Sequence, residues 1–202
     1  MCTPIARNEL YNASGGRTRW VESGVQQMAK QRYVWLGLRF VMTFTCLWAF
    51  FDKLIGLGFS TCRDKATGVV TSLCANAWLV SGSPTQGFLS GVKGPLAWFF
   101  NPMAGHPVVN ALFMMGLFTI GLALLLGMGV KIAGYSGAVF MFLLYLAAVS
   151  TYTSFTNDPL FDEHITYALV LLGLSRSNAG QRWGFGNWWS KTRLVNTYPW
   201  LQ

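Results

Sequence analysis

The chain has 202 residues, 52% of them hydrophobic and only 11% charged, whereas soluble domains carry about 25% charge. That balance predicts an all-α integral membrane protein. Fifteen basic against seven acidic residues give a net charge of +8. No basic–aromatic groove pattern accompanies them, which argues against nucleic-acid binding, and Lys and Arg gathered at one membrane face account for the excess.

Residues 1–32 are polar and basic, with Arg7, Arg17, Arg19, Lys30 and Arg32. Within them Thr18 to Gln31 places Trp20, Val21, Val25 and Met28 near one helical face. This stretch reads either as a helix lying along the headgroups or as a solvated tail. Polar residues precede the first apolar run and no small-residue cleavage site follows it, so that run is expected to stay as an anchor.

The first span is expected at about 33–53, within YVWLGLRFVMTFTCLWAFFDKLIGL, Tyr33 to Leu57. Its longest charge-free piece, Phe40 to Phe51, is shorter than the ~20 residues a bilayer core needs. The helix therefore crosses only if Arg39 snorkels toward lipid headgroups. A partner subunit or an anionic ligand is the other reading for Arg39. Cys46, inside the span, reads as a small apolar packer.

An outer loop follows at 56–106. Cys62 and Cys74 share it and would close a short ring, a disulfide worth roughly 3 kcal/mol by loop entropy. The alternative is two free thiols in a mobile loop. Later in the same segment, Pro84 to Phe100 mixes aromatic and aliphatic residues with Gly87, Gly91 and Gly94. It is too short and broken to span, and reads as a re-entrant or interfacial helix.

From Pro107 to Phe155 the chain is apolar except for Lys131, which suits two spans, about 107–128 and 131–155. They would turn at Gly127-Met128-Gly129-Val130-Lys131. In the second of the two, Ala133, Gly134, Gly137 and Ala138 would let a neighbouring backbone approach. Asn157-Asp158-Pro159 then gives the cap and first-turn proline of a fourth, short span at about 159–176. Residues 177–202 interleave Trp and Tyr with basic residues, the composition of an interfacial tail.

Placing both termini in the cytoplasm puts ten basic residues inside (Arg7, Arg17, Arg19, Lys30, Arg32, Lys131, Arg176, Arg182, Lys191, Arg193). Four fall outside (Lys53, Arg63, Lys65, Lys93). The expectation is a multi-pass protein of the cell membrane: an antiparallel four-transmembrane-helix bundle, 33–176, with an outer loop and interfacial helix.

That topology gathers polar residues at the outer mouth: Asp52 and Lys53, His106, and Asp158, Asp162, Glu163 and His164. Ionisable groups at membrane depth are costly and mark a function or a paired network. Three readings stand. The carboxylates favour a helix N-terminus and pair with Lys53; or His106 or His164, with a carboxylate fixing its tautomer, binds a quinone headgroup and exchanges protons with it; or the cluster holds a metal. Asp162, Glu163 and His164 point about 100° apart on a helix, so a metal would need His106 or Asp52 as well. No phosphate-binding glycine loop, haem-attachment motif, zinc spacing or nucleophile elbow is present, and neither a covalent cofactor nor a metal is expected.

Several strings are specific beyond their hydrophobicity: WAFFDKLIGLGFST at Trp48 to Thr61, SGSPTQGFL at Ser81 to Leu89, ALFMMGLFTIGLALLLG at Ala111 to Gly127, NDPLFDEHITYALVLLGL at Asn157 to Leu174 and WGFGNWW at Trp183 to Trp189. In order, over about residues 33–190, they resemble the DoxX family of small integral membrane proteins. The resemblance implies a four-helix membrane bundle that serves as a partner subunit. One branch includes the DoxD subunit of thiosulfate:quinone oxidoreductase, which acts with a separate small subunit on thiosulfate and membrane quinone. It assigns no catalytic residues to this chain. The functional expectation is a small subunit of a membrane redox complex, in contact with lipid and other subunits, with quinone at its outer mouth. The alternative is a non-catalytic assembly or lipid-organising subunit. A permease fits less well, because no span shows a central acidic or broken-helix site.

Overall fold

The computed structural model describes residues 31–64, 66–151, 162–177 and 184–198. The expectations for the N-terminal segment, for Asn157-Asp158-Pro159 and for Lys65, Arg182 and Trp183 lie outside these residues. Helices dominate the described residues. Their only extended pairing is an isolated bridge between Arg63 and Val70.

The first helix, α1, runs from Gln31 to Ile55, about 38 Å at ~1.5 Å per residue. It ends where Gly56 N donates back to Asp52 O at 2.9 Å. A short 3-10 turn (Trp78–Val80) and two one-turn helices, α2 (Gln86–Leu89) and α3 (Ala97–Phe100), follow, with a further 3-10 turn at Asn101–Met103. The long helices α4 (Pro107–Leu126) and α5 (Val130–Thr151) come next. Beyond them lie α6 (Glu163–Arg176), then α7 (Gly186–Trp189) and α8 (Arg193–Thr197). Helix α1, helix α4 and residues Val130–Val149 of α5 are long and apolar enough to cross a membrane. Helix α6 has 14 residues, about 21 Å, short of a hydrocarbon core of ~30 Å.

One apolar core draws on four helices. Met42 and Cys46 of α1, Ile120 and Leu124 of α4, Ala133, Ala138 and Met141 of α5, and Ala168, Leu171 and Leu174 of α6 pack together. The turn between α4 and α5 follows the glycines: Gly127 has φ 73° and Gly129 φ 62°, a left-handed geometry that residues with a Cβ avoid. The small residues of α5 also act as expected. A Cβ on Gly134 would stand 2.7 Å from Leu171 O and 2.7 Å from Ser175 Cβ, so α6 passes directly against the α5 backbone.

A second, smaller core sits at one end of the bundle. Leu89, Val92, Phe100 and Ala147 are buried together, with Leu96, Met103, Val109 and Leu146 packed against them. The 84–100 segment is thus a pair of short helical turns laid over the start of α4 and the end of α5. Asn110, in the first turns of α4, pins it there: its Oδ1 accepts from Thr85 Oγ1 at 2.6 Å, Ser83 Oγ at 3.0 Å and Thr85 N at 3.3 Å.

The loop between α1 and this segment is closed by a Cys62–Cys74 disulfide, with Cα atoms 5.6 Å apart. Asp64 shapes the turn inside it by accepting from Ala66 N at 2.7 Å and Thr67 N at 3.1 Å. These bonds, Thr67's first and then Ala66's, hold its carboxyl below the ordinary carboxylate range.

Arg39 departs from the expected snorkelling. It is 1% exposed, and its Nη2 approaches Leu125 O, in the last turn of α4, at 3.5 Å. One residue on, Phe185 N donates to Leu126 O at 2.8 Å. The last carbonyls of a helix have no partner within it, and an inward-turned cation is favoured at this negative end of the helix dipole. Arg39 therefore faces a helix terminus and the C-terminal segment rather than lipid headgroups.

Candidate functional site

The C-terminal ends of α1 and α5 and the N-terminal ends of α4 and α6 meet at the end of the molecule that carries the 84–100 segment. The local structure of each polar residue there follows from its place in the chain.

Asp52 sits in the last turn of α1, where the helix dipole disfavours a carboxylate. The chain after α1 compensates by folding back over it. Asp52 Oδ1 accepts from Phe59 N at 2.9 Å, and Oδ2 accepts from Ser60 N at 3.1 Å and Ser60 Oγ at 2.8 Å. The residue is 1% exposed. A charged acceptor so buried is tolerable only when its oxygens are bonded in this way. Lys53, next in sequence, reaches the same loop: Nζ donates to Ser60 Oγ at 2.7 Å and Thr61 Oγ1 at 3.2 Å. Asp52 and Lys53 therefore share Ser60 as a common partner. Among the described carboxylates opening α6, neither Asp162 nor Glu163 pairs with Lys53, which these hydroxyl contacts hold instead; Asp158 lies outside the described residues.

On α6, Asp162 is the N-cap. Its Oδ1 accepts from His164 N at 2.6 Å, and its Oδ2 lies 2.8 Å from His164 Nδ1. They lie two positions apart, the reach of a capping side chain. An ionised carboxylate only accepts, so Nδ1 carries the proton and Nε2 is the nitrogen left for another partner. Glu163 is exposed in the first turn, a position favourable to the helix dipole.

These elements line a half-open cavity of about 480 Å³. Its walls are apolar, with Phe88, Phe99, Phe100, Leu112, Phe113, Phe140, Leu143 and Leu144 among them. Among the described residues Lys53, Ser60, Thr85 and His164 supply its polar atoms, with no acidic side chain. Its size and composition match sites for small apolar molecules oriented by a few polar groups.

The expected site residues divide accordingly. Lys53 and His164 line the cavity; Asp52 and Asp162 stand behind it, bonded to lining residues Ser60 and His164. His106 and Glu163 do not line it. His106 is exposed and caps α4, its Nδ1 accepting from Val108 N at 3.3 Å, because it immediately precedes the helix-starting Pro107. Among the described residues no three His, Cys, Asp or Glu side chains gather as a ligand set for a metal ion. Ser60, Thr85 and the buried Asn110 that holds Thr85 were not singled out by the sequence reading. The Ser-Pro-Thr string was the available signal, but hydroxyl and amide residues in a loop carry no spacing that identifies a site.

Compared with protein-family models, curated proteins and solved structures, the chain finds no match. Its geometry is the ground for a functional reading.

Proposed function

We propose that the chain is a DoxX-like small membrane subunit of a redox complex, whose outer-mouth cavity takes a quinone. In this reading α1, α4, α5 and the helix ending at Arg176 form an antiparallel four-helix bundle, multi-pass, with both termini cytoplasmic. The observation that carries it is one cavity with aromatic and aliphatic walls and, at its polar end, a His164 oriented by Asp162. A quinone ring and its isoprenoid tail are apolar, and its carbonyl oxygens need donors. In its doubly protonated form His164 would donate Nε2–H to one of them and pass that proton to the reduced ring oxygen, while a partner subunit supplies the electrons.

The test is binding of a short-tailed benzoquinone to the purified chain in detergent, read by quenching of Trp fluorescence. His164→Ala is expected to weaken binding about tenfold, near 1.4 kcal/mol, with the fold unchanged. Equal binding by wild type and variant removes His164 from the site. No binding by wild type removes the quinone reading.

The Asp52–Ser60–Lys53 contacts favour a second reading, since they tie α1 to its own loop and are a sufficient structural reason for both charges. In this alternative the chain is a non-catalytic assembly or lipid-organising subunit. Its removal would dissociate partner subunits, and substitutions at His164 or Asp162 would act only through assembly.

A further inference from the structure

We infer that Lys53 is the specificity-determining residue of the cavity and selects amphipathic ligands whose head oxygen bears negative charge. The inference rests on the cavity being a ligand site, as proposed above, but not on the ligand being a quinone.

Three observations combine. An ammonium has three N–H donors, and two of those on Lys53 go to Ser60 Oγ at 2.7 Å and Thr61 Oγ1 at 3.2 Å. Those two bonds hold the long side chain at the cavity wall, which Lys53 lines, and leave one N–H for an occupant. Next, the neighbouring Asp52 makes no direct ion pair with it. The Asp52 oxygens are taken by Phe59 N, Ser60 N and Ser60 Oγ. Ser60 gives its own proton to Asp52, so its oxygen is free to accept from Lys53, and among the described residues the lysine is fixed without an ion pair. Finally, the lining contains no Asp or Glu among the described residues. The other titratable lining group, His164, has Asp162 bonded to its far nitrogen. A cation at an apolar wall, its neighbouring carboxylate already engaged by three other donors, gains more from an anionic oxygen than from a neutral one.

The chemical class is therefore a hydrocarbon-tailed molecule with an anionic oxygen head. A fatty-acid carboxylate and the anion of a reduced quinone share that chemistry, and both are carried by a membrane.

The experiment uses the full chain in a neutral detergent. Its probes are a long-chain alkyl carboxylate, the methyl ester of the same chain and a short-tailed benzoquinone. Wild type is expected to bind the carboxylate at least tenfold more tightly than the ester. Lys53→Met should abolish that preference by weakening carboxylate binding far more than ester binding, and Lys53→Arg should retain it. Equal binding of carboxylate and ester by wild type overturns the inference, as does a preference that survives in Lys53→Met. The wild-type comparison and Lys53→Arg decide the matter even if Lys53→Met fails to fold. Quinone binding without a carboxylate preference overturns this inference and leaves the quinone reading standing. A Lys53-dependent carboxylate preference without quinone binding does the reverse.

Discussion

Asp52 shows how a residue's chemistry and its setting can point in different directions. A carboxylate at the C-terminal turn of a helix is disfavoured, yet it is buried with three donors from residues 59 and 60. Asp52→Ala would leave those donors without their acceptor, a loss of about 1–3 kcal/mol, and thermal unfolding in detergent should record it. Asp52→Asn should recover only part of it, since an amide nitrogen would face an N–H. In the neighbouring loop, the lowered pKa of Asp64 has a signed consequence. Its turn is stabilised above the unfolded value, about 3.9, and that contribution is lost as pH falls through the lower folded pKa. Amide exchange at Ala66 and Thr67 should therefore stay slow at neutral pH and quicken only in strong acid. The identities of Asp52, Lys53, Asp162 and His164 were legible as unusual in an apolar chain. Their partners were not: Ser60 and Asn110 acquire meaning only from what stands opposite them.

Among the helices, the contact between α5 and α6 depends on the absence of a side chain. Gly134→Val would drive carbon atoms into Leu171 O and Ser175, so the helices must separate. A loss of about 1–3 kcal/mol is expected from such overpacking, read as a lower unfolding temperature. The pattern of small residues announced this contact, because close approach needs small residues whatever the partner. It did not name α6 as that partner. The loop after α1 gives a parallel case. Replacing both Cys62 and Cys74 by Ser should cost roughly 3 kcal/mol, and reducing agent should lower the wild-type unfolding temperature but not that of the double variant. Here the cysteine spacing suggested a bond that the chain geometry then allows, with Cα atoms 5.6 Å apart.

At the scale of the molecule, three helices among the described residues are long and apolar enough to cross a membrane, where the apolar runs had led to an expectation of four spans; the membrane character itself follows from composition. Hydrocarbon admits only backbones that satisfy themselves, so a long apolar run has few other structures open to it. Arg39 illustrates the limit of that logic. One residue cannot reveal whether its guanidinium turns out to headgroups or in to the end of α4. The choice depends on where Leu125 and the C-terminal segment lie. By itself the sequence determined the helical class, the position of the α4–α5 turn and the concentration of polar residues near the ends of α1 and α6. Each follows from local hydrophobicity or from backbone preference. Only the tertiary structure decided that Lys53 and His164 share one cavity, that Asp52 and Asp162 stand behind it, and that His106 and Glu163 lie apart. Those relations join residues more than a hundred positions apart, and packing, not local chain preference, brings them together.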